Sequence, residues 1–376
     1  MIEVELERVA HGGVVVGRFN GKVMFITGGL PGERVVVEIT EKGNRFDRGR
    51  VVRVLDASPG RVEPPCPVAG ECGGCDWQHA TPELQLDLKT TVVAEQLSRL
   101  AGVTWTGRVE AVQPTVNWRT RMRYSVSNGR VGLRGRRSHE VVPLPETGCL
   151  AAAPGPSPVQ LNDLAEGAES LNVVHAANGI SVLADGKLLS GSPRVCEQVG
   201  KFSFQVSASG FWQVHPGAAE TLLDAVLEGL RPRPGDLALD LYCGSGLFAA
   251  GLEQAGAEVF GVELDREAVA NARINVPRGR FLALSLAKAL RRLPPGVDLV
   301  VLDPPRRGAG AAVVARVVDL TPRVIAYVAC DPASLARDLA GFAVRGYETD
   351  WIRAFDLFPM THHVECVAIL RPSTRT

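Results

Sequence analysis

Net charge, long apolar runs and a basic leader are all missing from this chain of 376 residues. Lysine and arginine total 41, and aspartate and glutamate total 41. The strongly basic balance that often marks a nucleic-acid-binding protein is absent, so any electrostatic case rests on local clusters. No uncharged apolar run reaches the ~18 residues that a membrane-spanning helix needs, which excludes a helical membrane protein. The opening Met1-Ile2-Glu3-Val4-Glu5-Leu6-Glu7-Arg8 is acidic and strand-like, unlike a secretory signal, so a cytoplasmic location is expected. What is present is ordinary for a globular protein: 45% hydrophobic residues, 22% charged and a mean hydropathy of +0.07. That composition excludes long disorder, fibrous repeats and coiled coils, and the length suits two or three domains.

A chain read as cytoplasmic does not use eight cysteines as a disulfide framework. Three of them crowd into Cys66-Pro67-Val68-Ala69-Gly70-Glu71-Cys72-Gly73-Gly74-Cys75, where glycines let backbone wrap a metal group and donate N–H to sulfur. Three thiolates need a fourth, and the next cysteine, Cys149 in Glu146-Thr147-Gly148-Cys149, also follows a turn. Four thiolates suit an iron–sulfur cluster or zinc. Zinc sites usually carry two Cys-x2-Cys pairs, and only one is present, which favours iron–sulfur. Cys196 and Cys366 stand alone and read as core residues. Between Trp118 and His139 lie seven arginines (Arg119, Arg121, Arg123, Arg130, Arg134, Arg136, Arg137) and no acidic residue, with Trp118 and Tyr124 interleaved. Such a segment suits phosphate contact and base stacking as well as it suits a solvated basic face.

Residues 1–57 alternate in period two in short runs, such as Lys22–Ile26 and Arg34–Ile39, separated by glycine turns, and predict a small β-barrel of the OB type. Residues 58–200 hold the cysteine loop, a helix over about 82–100 that can pack on the last domain, and a mainly β stretch with proline and glycine breaks. Residues 201–376 alternate strands with helices. Strands are predicted at Leu237–Leu241, Val259–Val262, Asp298–Leu302 and Val324–Val328, each followed by a helix, then two strands at Tyr347–Asp356 and His363–Leu370. The fold class is therefore α/β, a doubly wound parallel sheet with one antiparallel strand, preceded by a barrel and a β domain.

Ligands of such sheets bind at the carboxyl ends of the strands. The first strand runs into Asp240-Leu241-Tyr242-Cys243-Gly244-Ser245-Gly246, a Gly-x-Gly turn opening a helix, and the second ends in Glu263, which can accept two ribose hydroxyls. That turn alone is shared by nicotinamide and S-adenosylmethionine binders. The third strand ends in Asp303-Pro304-Pro305-Arg306, the fourth in Ala329-Cys330-Asp331-Pro332, and the hairpin carries His362-His363-Val364-Glu365.

These motifs, with Phe211-Trp212-Gln213 and Cys330-Asp331-Pro332-Ala333-Ser334-Leu335-Ala336-Arg337-Asp338, make residues 202–376 similar to the class I methyltransferase domain of the RNA uracil-5-methyltransferases. The front of the chain resembles the members that carry a TRAM barrel and a four-iron four-sulfur (4Fe-4S) cluster, through its Cys-x5-Cys-Gly-Gly-Cys loop and Asn117-Trp118-Arg119-Thr120-Arg121-Met122-Arg123. The resemblance implies methyl transfer from S-adenosylmethionine to carbon 5 of a uridine in ribosomal or transfer RNA. It implies Cys330 as nucleophile, Glu365 as base, cofactor contacts from Gln213, Tyr242, Glu263 and Asp303, and a cluster on Cys66, Cys72, Cys75 and Cys149. Two departures stand out: Leu247 where relatives often place Asn, and Ser285 near an Asn or Asp that contacts adenine.

The chemistry accounts for the residue types. Carbon 5 of uracil is a weak nucleophile until a thiolate adds to carbon 6, and a base must afterwards remove the carbon 5 proton so that the thiolate can leave. Cys330 precedes a helix, whose N-terminus is expected to lower its pKa, while Cys243 in the cofactor turn reads as packing. Two rival readings leave residues unexplained. An amino-methyltransferase also uses Asp-Pro-Pro but has no use for Cys330 and Glu365. A non-catalytic RNA-binding iron–sulfur scaffold has no need of Cys330, Glu365 and Asp303 together. Neither an obligate protein partner nor the target RNA is readable.

Overall fold

The computed structural model describes residues 1–373. Strands β1 (Ile2–Ala10), β2 (Val14–Phe19), β3 (Lys22–Thr27), β4 (Arg34–Lys42) and β5 (Phe46–Asp56) close into a barrel in the order β1-β2-β3-β5-β4. Period-two alternation turns Val4, Leu6, Val15, Met24, Ile26, Val35 and Val37 inward to fill it. The expected barrel over 1–57 is borne out.

An irregular cysteine-bearing segment leads to helix α1 (Pro82–Ala101), which Thr81 caps by accepting the Leu84 N–H and Gly102 ends in the left-handed conformation. Its two faces are both buried. Leu88 and Val92 pack with Val9, Leu30 and Trp77 of the barrel side, while Val93 and Leu97 enter the core of the last domain. Between them Lys89, 1% exposed, donates to Asp356 Oδ1 at 2.6 Å and to the Phe358 carbonyl at 3.0 Å. Breaking a buried pair of this kind costs about 3–5 kcal/mol, so α1 does not slide freely on the domain.

After β6 (Val109–Ala111), the central domain is built from β7 (Arg121–Ser127), β8 (Arg130–Arg134), β9 (Val141–Pro143), α2 (Pro158–Leu164), β10 (Ser170–Ala176), β11 (Gly179–Ala184) and β12 (Lys187–Ser190). Its six strands pair antiparallel in the order β12-β11-β10-β7-β8-β9. A hairpin, β13 (Arg194–Val199) and β14 (Phe202–Ser207), bridges to the last domain.

That domain runs α3 (Ala218–Leu230), β15 (Leu237–Leu241), α4 (Leu247–Gln254), β16 (Glu258–Glu263), α5 (Arg266–Asn275), β17 (Arg280–Ala283), α6 (Leu286–Ala289), β18 (Leu299–Leu302), α7 (Ala311–Asp319), β19 (Val324–Ala329), α8 (Pro332–Ala343), β20 (Tyr347–Asp356) and β21 (Glu365–Pro372). The sheet order is β17-β16-β15-β18-β19-β21-β20-β6, parallel except for β21, which pairs antiparallel on both sides. The doubly wound class and the single antiparallel strand are as expected.

Three elements differ from the sequence reading. The sheet gains β17, a four-residue strand at one edge, and α3 stands before the first βα unit. At the other edge β6, from outside residues 201–376, pairs with β20. Strands of three and four residues are too short to show a periodicity. Cys366 is buried as expected, but Cys196 is not a core residue: it lies half-exposed on β13 with Sγ 3.0 Å from Ser203 Oγ. No helix among the described residues is long and apolar enough to cross a membrane.

Candidate active site

Parallel strands deliver their last residues to one edge of the sheet, and an antiparallel neighbour delivers its first. Asp240 lies near the end of β15, Glu263 ends β16, Asp303 follows β18 and Cys330 follows β19, while Glu365 begins β21. In the β19–β21 ladder Ala329 faces Cys366, so one further step sets Cys330 opposite Glu365. Two residues distant by 35 positions in the chain thus meet because one strand of the sheet is reversed.

The turn after β15 shapes a cradle. Tyr242 adopts φ +66° and Gly244 φ +51°, and a side chain added at Gly244 would point into open space. Glu263 accepts the N–H groups of Gly244 (3.2 Å), Leu264 (2.6 Å) and Asp265 (2.9 Å). Asp240 Oδ2 accepts from Ala249 N at 3.0 Å, while its buried Oδ1 has no partner. Leu247 is buried at the first turn of α4, and Ser285 stands at the N-cap of α6 without a capping bond. Gln213 is half-buried in the loop after β14, held by Trp212 against Phe204 (5.2 Å) and by Thr120, whose N–H and hydroxyl donate to the Val214 carbonyl. Gln213 itself makes no hydrogen bond among the described residues. Cys243 is buried beside Gly261, a packing role as expected.

Electrostatically this edge is acidic. Burial, outweighing the Ala249 N–H, and then Asp303 and Glu263 push Asp240 up to about 8. Burial and then Glu263 push Asp303 up to about 7. Burial and Asp303 raise Glu365 well above the carboxylate range. Burial, then Glu365 and Asp303, push the Cys330 thiol up to about 12, with Arg306 the cation that works against the shift. Neither Asp303 nor Glu365 has a side-chain hydrogen bond among the described residues. Polar groups set so deep without partners mark a site rather than a scaffold.

The expectation that the α8 N-terminus would lower the Cys330 pKa is corrected. Asp331, not Cys330, caps α8 through the Ser334 N–H (2.7 Å) and also accepts from His11 Nε2 of the barrel (2.7 Å). Those bonds overcome burial and hold Asp331 at about 2, leaving a carboxylate rather than the free helix end beside Cys330. Sequence reading missed His11 and gave Arg306 no role; no spacing links residue 11 to residue 331.

Cys66, Cys72, Cys75 and Cys149, all half-buried, line one cavity of about 30 Å³ with Gln78 and Arg119. Burial and the neighbouring thiols raise Cys72 and push Cys75 up to about 12. The Gly74 N–H donates to Cys72 Sγ at 3.4 Å. No three His, Cys, Asp or Glu side chains among the described residues are gathered around one ion position. That spread does not preform a zinc site, and a cubane needs only one cysteine at each of four iron corners. Four half-buried thiols lining one cavity are the donor chemistry that such a cluster would take.

The arginine segment divides. Arg121 pairs with Glu197 (2.8 Å), Arg136 pairs with Asp76 and Arg119 faces the cysteine cavity, while Trp118 and Tyr124 are buried. Base stacking by those two aromatics and phosphate tracking by Arg121 are therefore corrected, since their surfaces are spent in the core. Arg123, Arg130, Arg134 and Arg137 remain exposed, with no ion pair among the described residues.

A Rossmann-like sheet with a cradle after its first strand and acids along its carboxyl edge defines a methyltransferase fold. A TRAM domain model matches residues 1–61, and a tRNA (Uracil-5-)-methyltransferase model matches residues 295–373, the span holding Asp303, Cys330 and Glu365. An RNA methyltransferase of Streptomyces avermitilis is 45% identical over 99% of this chain and 98% of its own, and one of Streptomyces coelicolor is 44% identical over 99% and 93%. The crystal structure of Pyrococcus abyssi tRNA (uracil-54, C5)-methyltransferase in complex with S-adenosyl-L-homocysteine superposes with a TM-score of 0.75 at 22% identity, over 98% of this chain and all of that one. The chain belongs to the RNA uracil-5-methyltransferase family.

The thiol shift has a direct check. Iodoacetamide labelling of Cys330, followed by peptide mass spectrometry, should be slow at pH 7 and keep rising beyond pH 9. Arg306→Ala should slow it several-fold at any one pH, because the thiolate loses its one favourable charge. Labelling that is already at its plateau at pH 7 would show an activated thiolate instead.

Proposed function

We propose that the protein transfers a methyl group from S-adenosylmethionine to carbon 5 of a uridine in RNA through a covalent adduct at Cys330. The register that sets Cys330 opposite Glu365, beside Asp303 and Arg306, carries this reading. Bound S-adenosylmethionine supplies an electrophilic methyl group on a cationic sulfur. The chain's own residues do the rest. The Gly244 turn offers open space for the donor, the Glu263 carboxylate receives its ribose hydroxyls, and Tyr242 and Gln213 flank it. Asp303 faces the sulfonium.

Cys330 loses its proton to solvent and bonds carbon 6, which makes carbon 5 nucleophilic; carbon 5 would then take the methyl group as its bond to the donor sulfur breaks, leaving a neutral thioether. Glu365 then takes the proton from carbon 5, and the carbon 6–sulfur bond breaks to return the Cys330 thiolate. Burial and the surrounding carboxylates disfavour ionisation of both groups in the free protein, and a bound cationic donor acts in the opposite sense, the protons passing to solvent before the reaction begins. The uridine leaves its stack to reach Cys330, which favours a loop or bulge over perfect duplex, in ribosomal or transfer RNA of the cytoplasm. Exposed Arg123, Arg130, Arg134 and Arg137 supply phosphate contacts.

Where the reaction stops separates the two catalytic residues. Cys330→Ala should bind S-adenosylmethionine but transfer no methyl. Glu365→Gln should transfer it once and stay bound to methylated RNA as a shifted band on a denaturing gel, lost in the double variant. Normal methylation by Cys330→Ala would refute the mechanism.

Asp303 gives a test of the donor's orientation. Below pH 7 Asp303 holds a proton that a neighbouring sulfonium must displace, so affinity for S-adenosylmethionine should climb several-fold from pH 6 to pH 8. Affinity for the uncharged S-adenosylhomocysteine should stay nearly flat. A constant ratio of the two dissociation constants across this range would remove Asp303 from the sulfonium.

For the four cysteines we propose a 4Fe-4S cluster with a structural role, since methyl transfer is redox-neutral. Protein purified without oxygen should be brown with about four iron per chain, and Cys72→Ser or Cys75→Ser should bleach it. Zinc in stoichiometric amount without iron would overturn this.

A further inference from the structure

The loop Leu357–Val364, between β20 and Glu365, lies at the active edge and is tied at Phe358, Met360 and His362 to groups from outside its own domain. Lys89 donates to the Phe358 carbonyl (3.0 Å), and Gln85 Oε1 accepts the Met360 N–H (2.8 Å). The Met360 carbonyl accepts the N–H groups of Asp76 (2.8 Å) and Trp77 (2.9 Å). Asp76 Oδ2 in turn accepts both the His362 N–H (3.0 Å) and His362 Nδ1–H (2.5 Å), while Arg136 pairs with Oδ1. Met360 adopts φ +65°, a conformation that a non-glycine residue keeps only where its surroundings enforce it.

The grip continues to the reacting groups. His362 lies on His363 with ring centroids 4.1 Å apart, and His363 Nε2 accepts from Arg306 at 3.1 Å. Arg306 is the cation beside both Cys330 and Glu365. Asp76 therefore stands at one end of a run of contacts that reaches Arg306, and its grip on His362 falls three residues before Glu365 in the chain. It also follows Cys75 directly, so whatever organises the four cysteines organises this anchor.

We propose that Asp76 is a positioning residue that, through Met360 and His362, holds Glu365 where it can take the carbon 5 proton. The proposal rests on the reading of Glu365 as the base. It assigns to the cysteine loop a task in one step of the reaction: resolution of the adduct, as opposed to donor binding or methyl transfer. The transfer step uses Cys330 on β19 and the cradle after β15, neither of which touches Asp76.

The test uses full-length protein, tritium-labelled S-adenosylmethionine and total RNA from cells lacking the protein. Asp76→Asn should keep its iron, bind the donor with unchanged affinity and transfer methyl within about twofold of wild type. It should resolve the adduct at least tenfold more slowly, so that labelled RNA accumulates on the protein in a denaturing gel. His362→Ala breaks the same tie from the far side, away from the cysteines. It should behave alike, and the double variant should be no worse than either, because the two act as one unit. If Asp76→Asn loses iron, His362→Ala decides. Wild-type resolution in His362→Ala, or transfer and resolution falling in equal proportion, would overturn the proposal. Glu365→Gln run in parallel separates this from the mechanism: if it accumulates no adduct, the assignment of the base fails regardless of Asp76.

Discussion

Asp240, Glu263, Asp303 and Glu365 crowd the carboxyl edge of one sheet, with Arg306 the cation facing Cys330 and Glu365, and the rest of the site follows from that crowding. Asp240, Asp303 and Glu365 are each pushed upward by burial, and Asp303 in turn raises both of the others. Like charges at such depth do not all ionise together. In the ligand-free protein this crowding disfavours ionisation of Asp240, Asp303, Glu365 and Cys330. Such an edge is poorly suited to an anion and well suited to a cation, which is the charge of a sulfonium methyl donor.

All three parts of the chain reach this edge. The barrel sends the β1–β2 turn, where His11 meets Asp331 and the Gly13 carbonyl accepts from Trp77 Nε1. A side chain at Gly13 would come within 2.7 Å of His362 Cβ, so the turn is pressed against the loop before Glu365. The central domain sends Arg136 to Asp76, and Thr120 to the loop that carries Gln213. A methyltransferase domain cut at residue 201 would lack β6, α1 and every outside tie on its own catalytic loop. The boundary drawn from sequence is a boundary of pattern, not of stability.

What was legible in the sequence is what repeats or what chemistry spaces. Alternation exposed the barrel, strand-helix alternation exposed the sheet, and motifs at strand ends pointed to Asp303, Cys330 and Glu365. The register that sets Cys330 opposite Glu365 was not legible, because pairing depends on which strand is reversed and where. Arginine density in residues 119–137 misled for a related reason. Along β7 Met122 and Tyr124 turn into the core while Arg121 and Arg123 share the opposite face, and Arg121 is taken from solvent by Glu197, a partner 76 positions away that no local pattern reveals. The Cys330 pKa was misjudged because a helix N-terminus was weighed without the burial of the thiol and without Glu365 and Asp303, which fold in beside it.

A metal group in a redox-neutral enzyme then has a mechanical rationale. Residues 57–81 contain no helix or strand, a length at which an irregular segment does not hold one shape by itself. Its ties to the rest of the chain come from separate elements: Arg61 on the buried Glu33 and Trp77 on the Gly13 carbonyl reach the barrel, Gly73 and Arg136 join it to the central domain, and Asp76 and Trp77 grip Met360. A cluster on the proposed ligands would add four covalent tethers, one of them Cys149 in the central domain, and would fix the segment against both neighbours at once. Held that way, the segment would present Asp76 at a constant position, and position is what the proposed base, at the junction of that loop with β21, requires. The cofactor-like part of the chain would then serve the chemistry through stiffness, with no electron moved.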